Sequence, residues 1–214
     1  MNEYLENLNR NNRTNKFDEL ETFAKEHNTP IIQYDSLMTL LLLIKVKNVK
    51  KILEIGTAIG YSASQMANVS KYIVVDTIER DEQMYQIATN NIKKLNLETQ
   101  INIHNFDALE IPLDKLSLEY DLIFIDAAKS QYQKFFDRFI PLLNKNGIVV
   151  TDNILFHGCV ESSLKEENDL SKNVRNMARK INVYNNQLSN MKDFETIYLD
   201  CGDGLAITMR KQND

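Results

Sequence analysis

Tryptophan is absent from this chain of 214 residues, and cysteine (2), proline (3) and glycine (6) are scarce. The two cysteines, Cys159 and Cys201, lack CxxC spacing and are too few for a disulfide framework, so a reducing cytosol is the expected compartment. Proline and glycine are too sparse to mark a linker. Long apolar runs are missing as well. The most hydrophobic stretch, Leu37 to Val46, is half of the roughly 20 residues a membrane span needs, and the N-terminal MNEYLENLNRNNRTNK has no apolar core of the signal-peptide kind. Neither export nor membrane anchoring is expected. Nor is there an excess of basic charge: 25 Lys and Arg stand against 30 acidic residues, a net charge of −5, which argues against gripping nucleic acid by overall charge and leaves only a local basic patch open. What remains is a globular balance, 43% hydrophobic and 26% charged, with apolar material enough for one sizeable core. A single domain over 1–214 is expected, with N-terminal helices over 1–47 ahead of a core over 48–214.

In the first stretch, Tyr4, Leu5 and Leu8, then Phe17, Leu20, Phe23 and Ala24, fall at helical spacing, broken near Asn11 and Asn12. This predicts two helices outside the main sheet. Asp35 or Ser36 is the expected cap of a helix whose stripe Leu37, Leu40, Leu41 and Ile44 packs on the sheet. From Lys51 onward the period changes. Short apolar runs at 51–55, 72–78, 101–106, 121–126 and 147–152 alternate with helical stretches at about 61–69, 81–95, 130–143 and 167–184. Uniformly apolar strands alternating with helices predict an α/β fold, a Rossmann-like, mostly parallel, doubly wound sheet covered on both faces. The last two runs, 194–200 and 205–211, are joined only by Cys201-Gly-Asp-Gly204, too short for a crossover helix. A seven-stranded sheet closing in an antiparallel hairpin follows.

Three constellations carry chemistry. The first, Leu53 to Ser62, joins a strand to a helix through Gly56 and Gly60, a turn that lets backbone approach a ligand at the carboxyl edge of the sheet. Its spacing is GxxxG, with Ala58 where a dinucleotide fingerprint has its second glycine, which disfavours NAD or FAD. The second is Glu79 at the end of the second strand, about 20 residues on, where a carboxylate can accept from both hydroxyls of a ribose. Asp76, Asp81 and Glu82 nearby read as solvated loop or helix-cap charges, and Asp107 as either an adenine contact or an N-cap. The third is Asp126, ending the fourth strand, with Asp152 and Asn153 ending the fifth. Strand ends of this kind open into one crevice, and two carboxylates buried there together are costly without a cation or a shared proton. Hard oxygen ligands suit Mg²⁺, Mn²⁺ or Ca²⁺. Lys129, three residues after Asp126, reaches the same crevice, and a neighbouring cation lowers its pKa toward that of a general base.

The set LEIGTAIGYSA (53–63), IER (78–80), FDA (106–108), YDLIFIDAAK (120–129) and VVTDNILFHG (149–158) resembles the metal-dependent, S-adenosylmethionine (SAM)-using O-methyltransferases of the catechol and caffeoyl-CoA type, over roughly residues 30–211. The resemblance implies a cofactor site in which Glu54, Gly56, Thr57, Gly60, Tyr61 and Ser62 surround the methionine end of SAM, Glu79 the ribose, and Asp107 with Ala108 the adenine. It implies a divalent metal on Asp126, Asp152 and Asn153, Asp126 being shared with cofactor binding and catalysis, and Lys129 as the base. Within that family the chain resembles most the bacterial branch that methylates 5-hydroxyuridine at the tRNA wobble position. The missing tryptophan removes a common wall for small aromatic substrates.

A catechol presents two adjacent oxygens to such a site, and so does 5-hydroxyuridine with its 5-hydroxyl beside the 4-carbonyl. The surroundings separate them. Arg10, Arg13 and Lys16, and Lys165, Lys172, Arg175, Arg179 and Lys180, are candidates for phosphate contacts with a tRNA anticodon loop, although cations on a helix facing Glu166, Glu167 and Asp169 are more often solvated. Tyr61, Phe156 and His157 are candidates for the wall against an extruded base. A SAM-binding module without catalysis has no need of Lys129, Asp152 and Asn153 together, and a nicotinamide oxidoreductase fails at Ala58. Exposed Phe17, Leu20 and Phe23 are expected to pack across a two-fold axis, as the family's homodimers imply. The loop at about 154–167 has the length and position of a lid.

Overall fold

The computed structural model describes residues 4, 8, 14–165 and 169–212; Leu5, Arg10, Asn11, Asn12, Arg13, Glu166 and Glu167 lie outside the described residues. Seven strands, β1 (Lys51–Ile55), β2 (Val74–Glu79), β3 (Ile101–Asn105), β4 (Tyr120–Ile125), β5 (Leu143–Asp152), β6 (Phe194–Leu199) and β7 (Leu205–Arg210), form one sheet in the order β3-β2-β1-β4-β5-β7-β6. The first five are parallel. β7 runs antiparallel to β5, with Asp152 opposite Leu205, and pairs antiparallel with β6, because the five-residue link Asp200–Gly204 permits only a hairpin. The described helices are α1 (Asp18–Glu26), α2 (Tyr34–Val46), α3 (Tyr61–Ala67), α4 (Glu82–Lys94), α5 (Tyr132–Phe139), α6 (Cys159–Ser162) and α7 (Lys172–Asn190).

The central strands are largely apolar because both faces are covered, and successive residues divide between two cores. Ile52, Leu122, Phe124, Ile148 and Val150 pack under α1 to α4, whereas Leu53, Ile123, Ile125 and Val149 pack under α5 and α7. The second core carries Tyr132, Phe136, Tyr184 and Phe194 in edge-to-face contact behind the ends of β4 and β5. Each such ring buries apolar area worth about 1.5–3 kcal/mol.

Several details depart from the sequence reading. Phe17 and Leu20 are buried in the first core, not exposed as expected, and Phe23, half-buried, packs against it. The hydrophobic stripe of α1 is satisfied within its own chain. α2 begins at Tyr34, so Asp35 and Ser36 are inside its first turn rather than at the cap; Ser36 instead donates to the carbonyl of Cys201. Asp81 does cap α4, accepting from the Met84 N–H. The last long helix starts at Lys172, capped by Ser171, and runs to Asn190. Asp76 is buried, not solvated: it accepts from Tyr120, Asn102 and Ser117 and lies beside His104. Burial works to raise its carboxyl, but His104 first, then Tyr120 and Asn102, hold it below the usual range.

Candidate active site

The chain order in the sheet reverses at β1, whose neighbours are β2 and β4, and a cleft of about 420 Å³ opens above the carboxyl ends of β1, β2, β4 and β5. This is where doubly wound folds hold ligands, and the volume is within the range of small-molecule sites. Gly56 makes the close approach possible. It sits at φ +101, and a Cβ there would lie 2.1 Å from the carbonyl oxygen of Asp126. Ala58 takes the left-handed conformation at φ +46, and its N–H donates to Glu79 Oε2 at 2.8 Å.

Most of the residues expected to hold a cofactor come together here. Gly56, Thr57, Tyr61, Ser62, Glu79, Asp107, Ala108 and Asp126 all border the cleft. Glu79 accepts one backbone N–H on each oxygen, from Ala58 and Asp81, and each oxygen keeps a lone pair for a ribose hydroxyl. Asp107 accepts from the Leu109 N–H through one oxygen and faces Arg80 at 4.0 Å with the other, combining the turn-capping and cleft positions. Glu54 and Gly60 do not border the cleft. Glu54 is wholly buried behind it, accepting from Ser62 and Thr77 at 2.5 Å each, and Gly60 faces α4, where a Cβ would meet Ala88 at 3.3 Å. Burial pushes the Glu54 carboxyl up to about 8, so at neutral pH it is largely uncharged and ties the Gly56 turn to β2.

At the other end stand Asp126, Lys129, Asp152 and Asn153. Lys129 opens a 3-10 turn, and its Nζ donates to Asn153 Oδ1 at 2.6 Å. Asp126 is raised above the usual carboxylate range by burial, with Lys129 pulling the other way. Asp152 is 1% exposed and pushed up to about 7, first by burial and then by Asp126. Neither of its carboxylate oxygens has a hydrogen-bond partner of good geometry. Tyr132 holds the strand end from behind by donating to the Asp152 carbonyl. Two partnerless oxygens on a buried carboxylate, beside a second carboxylate and an amide oxygen, are a donor set that fits a hard divalent cation. Among the described residues no three His, Cys, Asp or Glu side chains form a metal-ligand group; the candidate set is two carboxylates and one amide.

Other residues at the cleft were not visible in the sequence. Pro30 to Gln33, ahead of α2, form one wall, Phe135 of α5 contributes an aromatic face, and Asp203 comes in from the β6–β7 turn. Local spacing signals none of them, except that Gly-Asp-Gly flags a turn around Asp203. Tyr61 and His157 line the cleft, whereas Phe156 packs with Met177 between α6 and α7. Lys16 is engaged by Asn68 at 2.6 Å. No described helix is long and apolar enough to cross a membrane.

Comparison with known proteins agrees with this geometry. A family model described as O-methyltransferase matches residues 4–211. A caffeoyl-CoA O-methyltransferase of Populus kitakamiensis is 30% identical over 176 residues, covering 80% of this chain and 74% of the relative. A Staphylococcus aureus structure named provisionally as a caffeoyl-CoA O-methyltransferase superposes with a TM-score of 0.90 at 41% identity, covering 98% of both chains. The fold is also that of a Bacillus cereus O-methyltransferase solved with S-adenosylhomocysteine, with a TM-score of 0.77 at 23% identity over 93% of this chain and 92% of that one. A glycine turn against a strand-end carboxylate, a buried acidic pair beside a lysine, and a family match over nearly the whole length lead to one assignment: the chain belongs to the O-methyltransferase family, of the caffeoyl-CoA type.

Proposed function

We propose that the protein moves the methyl group of SAM onto a hydroxyl that has a second oxygen beside it, and that the acceptor is 5-hydroxyuridine at the wobble position of tRNA. The observation that carries the reaction class is the partnerless Asp152 carboxylate beside Asp126, Asn153 and Lys129. Asp126, Asp152 and Asn153 would hold a divalent cation such as Mg²⁺, which lowers the pKa of an acceptor hydroxyl bound next to it. Lys129 Nζ lies at the same end of the cleft and takes the hydroxyl proton. Glu79 at the ribose and the Gly56 turn at the methionine end would fix SAM, so that the sulfonium methyl faces that oxygen and not water. The methyl passes from sulfur to oxygen, leaving S-adenosylhomocysteine. Charge is neutralised in that transfer, so a cleft walled by Ile31, Ile32 and Phe135 favours it over open solvent.

For the acceptor, the supporting observation is α7. This 19-residue helix carries Lys172, Arg175, Arg179 and Lys180 and no Asp or Glu, in a chain of net charge −5. It packs on the turn that presents Lys129. Concentrated cation without intervening carboxylate is what a phosphate backbone requires. A second reading, methylation of a small catechol or phenol, is favoured by the name of the Populus relative. Purified protein with labelled SAM and Mg²⁺, offered tRNA carrying 5-hydroxyuridine and a plain catechol in parallel, separates the two. Label in the tRNA, lost on adding chelator and weakened when Lys172, Arg179 and Lys180 are changed to Glu, is the expected result. Label in the catechol alone overturns the tRNA reading.

A further inference from the structure

The segment that follows β5 is held in an unusual backbone conformation. Asn153 (φ +58), Phe156 (φ +50), His157 (φ +52) and Gly158 (φ +75) are all left-handed, and three of the four bear side chains that disfavour this. Such residues persist only where surrounding contacts over-determine them. Lys129 holds the Asn153 amide oxygen and Asn185 the Ile154 carbonyl, and three backbone N–H groups of the segment are held by the β6–β7 turn. The Ile154 N–H donates to the Gly204 carbonyl at 3.2 Å and the Leu155 N–H to the Asp203 carbonyl at 3.0 Å. The His157 N–H donates to the Asp203 side chain, Oδ1, at 2.5 Å. Gly204 has no room for a side chain, since a Cβ would lie 2.6 Å from Leu155.

Asp203 is 3% exposed and borders the cleft, and its other oxygen, Oδ2, is buried without a partner. It stands close enough to Asp152 for its charge to act on that carboxyl. A buried carboxylate with one unsatisfied oxygen, next to another buried carboxylate, is an expensive way to end a hairpin turn. The arrangement becomes intelligible if the turn's task is to hold the 153–158 segment.

We propose that Asp203 is a positioning residue of the acceptor site: its Oδ1 fixes the His157 backbone, and through that left-handed segment it aims the Asn153 amide and the His157 ring into the cleft. This rests on the metal set of the proposed function, because Asn153 is one of its three ligands. Residues that orient a metal ligand typically alter metal affinity by about 10–100-fold when removed.

The test is calorimetric titration of wild type, Asp203→Ala and Asp203→Asn with Mn²⁺ and, separately, with SAM. The Ala variant should bind Mn²⁺ at least about tenfold more weakly while SAM affinity stays within about twofold, and the Asn variant, which keeps an acceptor oxygen for the His157 N–H, should recover to within about threefold of wild type. Wild-type Mn²⁺ affinity in the Ala variant, or equal weakness in both variants, overturns the proposal; a role in folding alone lowers melting temperature without separating Mn²⁺ from SAM. Amide hydrogen exchange on the unmodified protein gives a readout that needs no variant. The His157 N–H should be strongly protected, and exchange at the rate of an open loop refutes the clamp. Wild-type protein that binds SAM but no Mn²⁺ instead removes the metal set itself, a failure of the proposed function that the protection of His157 distinguishes from a failure of the clamp.

Discussion

Replacing Glu54 by Gln tests most sharply the electrostatics of the carboxylates buried at the strand ends. Glu54 is wholly buried, and burial lifts its carboxyl from an ordinary 4.5 to about 8; hydrogen bonds from Ser62 and Thr77 oppose the rise, and Asp126 and Glu79 add to it. The folded state therefore holds this proton more tightly than the unfolded chain does. The stabilisation is fully present below about pH 4.5 and is lost as pH rises through about 8. Between those limits the wild-type protein should lose about 1.4 kcal/mol per pH unit from this group, on the order of 5 kcal/mol over the window. Glutamine has the same shape and does not titrate; its one amide oxygen accepts from one of the two hydroxyls, and its NH2 donates to the other, which turns to accept, as a protonated carboxyl would require. Asp126, Asp152 and Asp76 titrate in both proteins, so their contributions largely cancel in the difference. Urea unfolding of both proteins at about pH 5, 6, 7 and 8 reads that difference. The Gln variant should start level with or below wild type at about pH 5, owing to its lost acid proton, and gain steadily on it with rising pH. Parallel stability curves would show that Glu54 is ionised in the folded protein and that the reasoning from burial is wrong.

Three further outcomes are expected. Lys129→Met should lower the methyl-transfer rate by about 10²–10⁴-fold, as loss of a general base does, while SAM affinity measured by calorimetry stays at the wild-type level. Divalent-metal binding should strengthen as pH rises from about 6 to 8 and should release fewer protons toward the upper end, because burial and Asp126 hold Asp152 up to about 7 and the cation requires the carboxylate; calorimetry in buffers of different ionisation enthalpy counts those protons. Gly56→Ala should abolish SAM binding and lower the melting temperature, since the added Cβ would lie 2.1 Å from the Asp126 carbonyl at a φ of +101 that alanine disfavours.

The architecture was legible in the residues because it rests on local periodicity. Apolar runs at 51–55 and 121–126 coincide with β1 and, within a residue, β4, and the five-residue link at Asp200–Gly204 forces an antiparallel end by length alone. The positions of Asp126, Lys129, Asp152, Asn153 and Glu79 at the cleft follow from the same logic, since strand ends of a doubly wound sheet open on one edge.

Other features depend on which distant segments meet, and spacing along the chain carries no such information. Asp76 looked like a surface charge until β3 and the Tyr120 hydroxyl closed around it. Phe17 and Leu20 looked exposed because the surface they cover, beside Tyr61 and under α1, is built from residues some 40 positions away. The wall at Pro30 to Gln33 and the clamp from Asp203 onto His157 likewise join segments that only the folded sheet brings together. The sequence by itself therefore determined the layers, the strand directions and the edge at which the cleft opens, all consequences of hydrophobic period and chain reach. Tertiary structure alone decided which carboxylates are buried and what holds the left-handed 153–158 segment, because both depend on contacts made across the sheet.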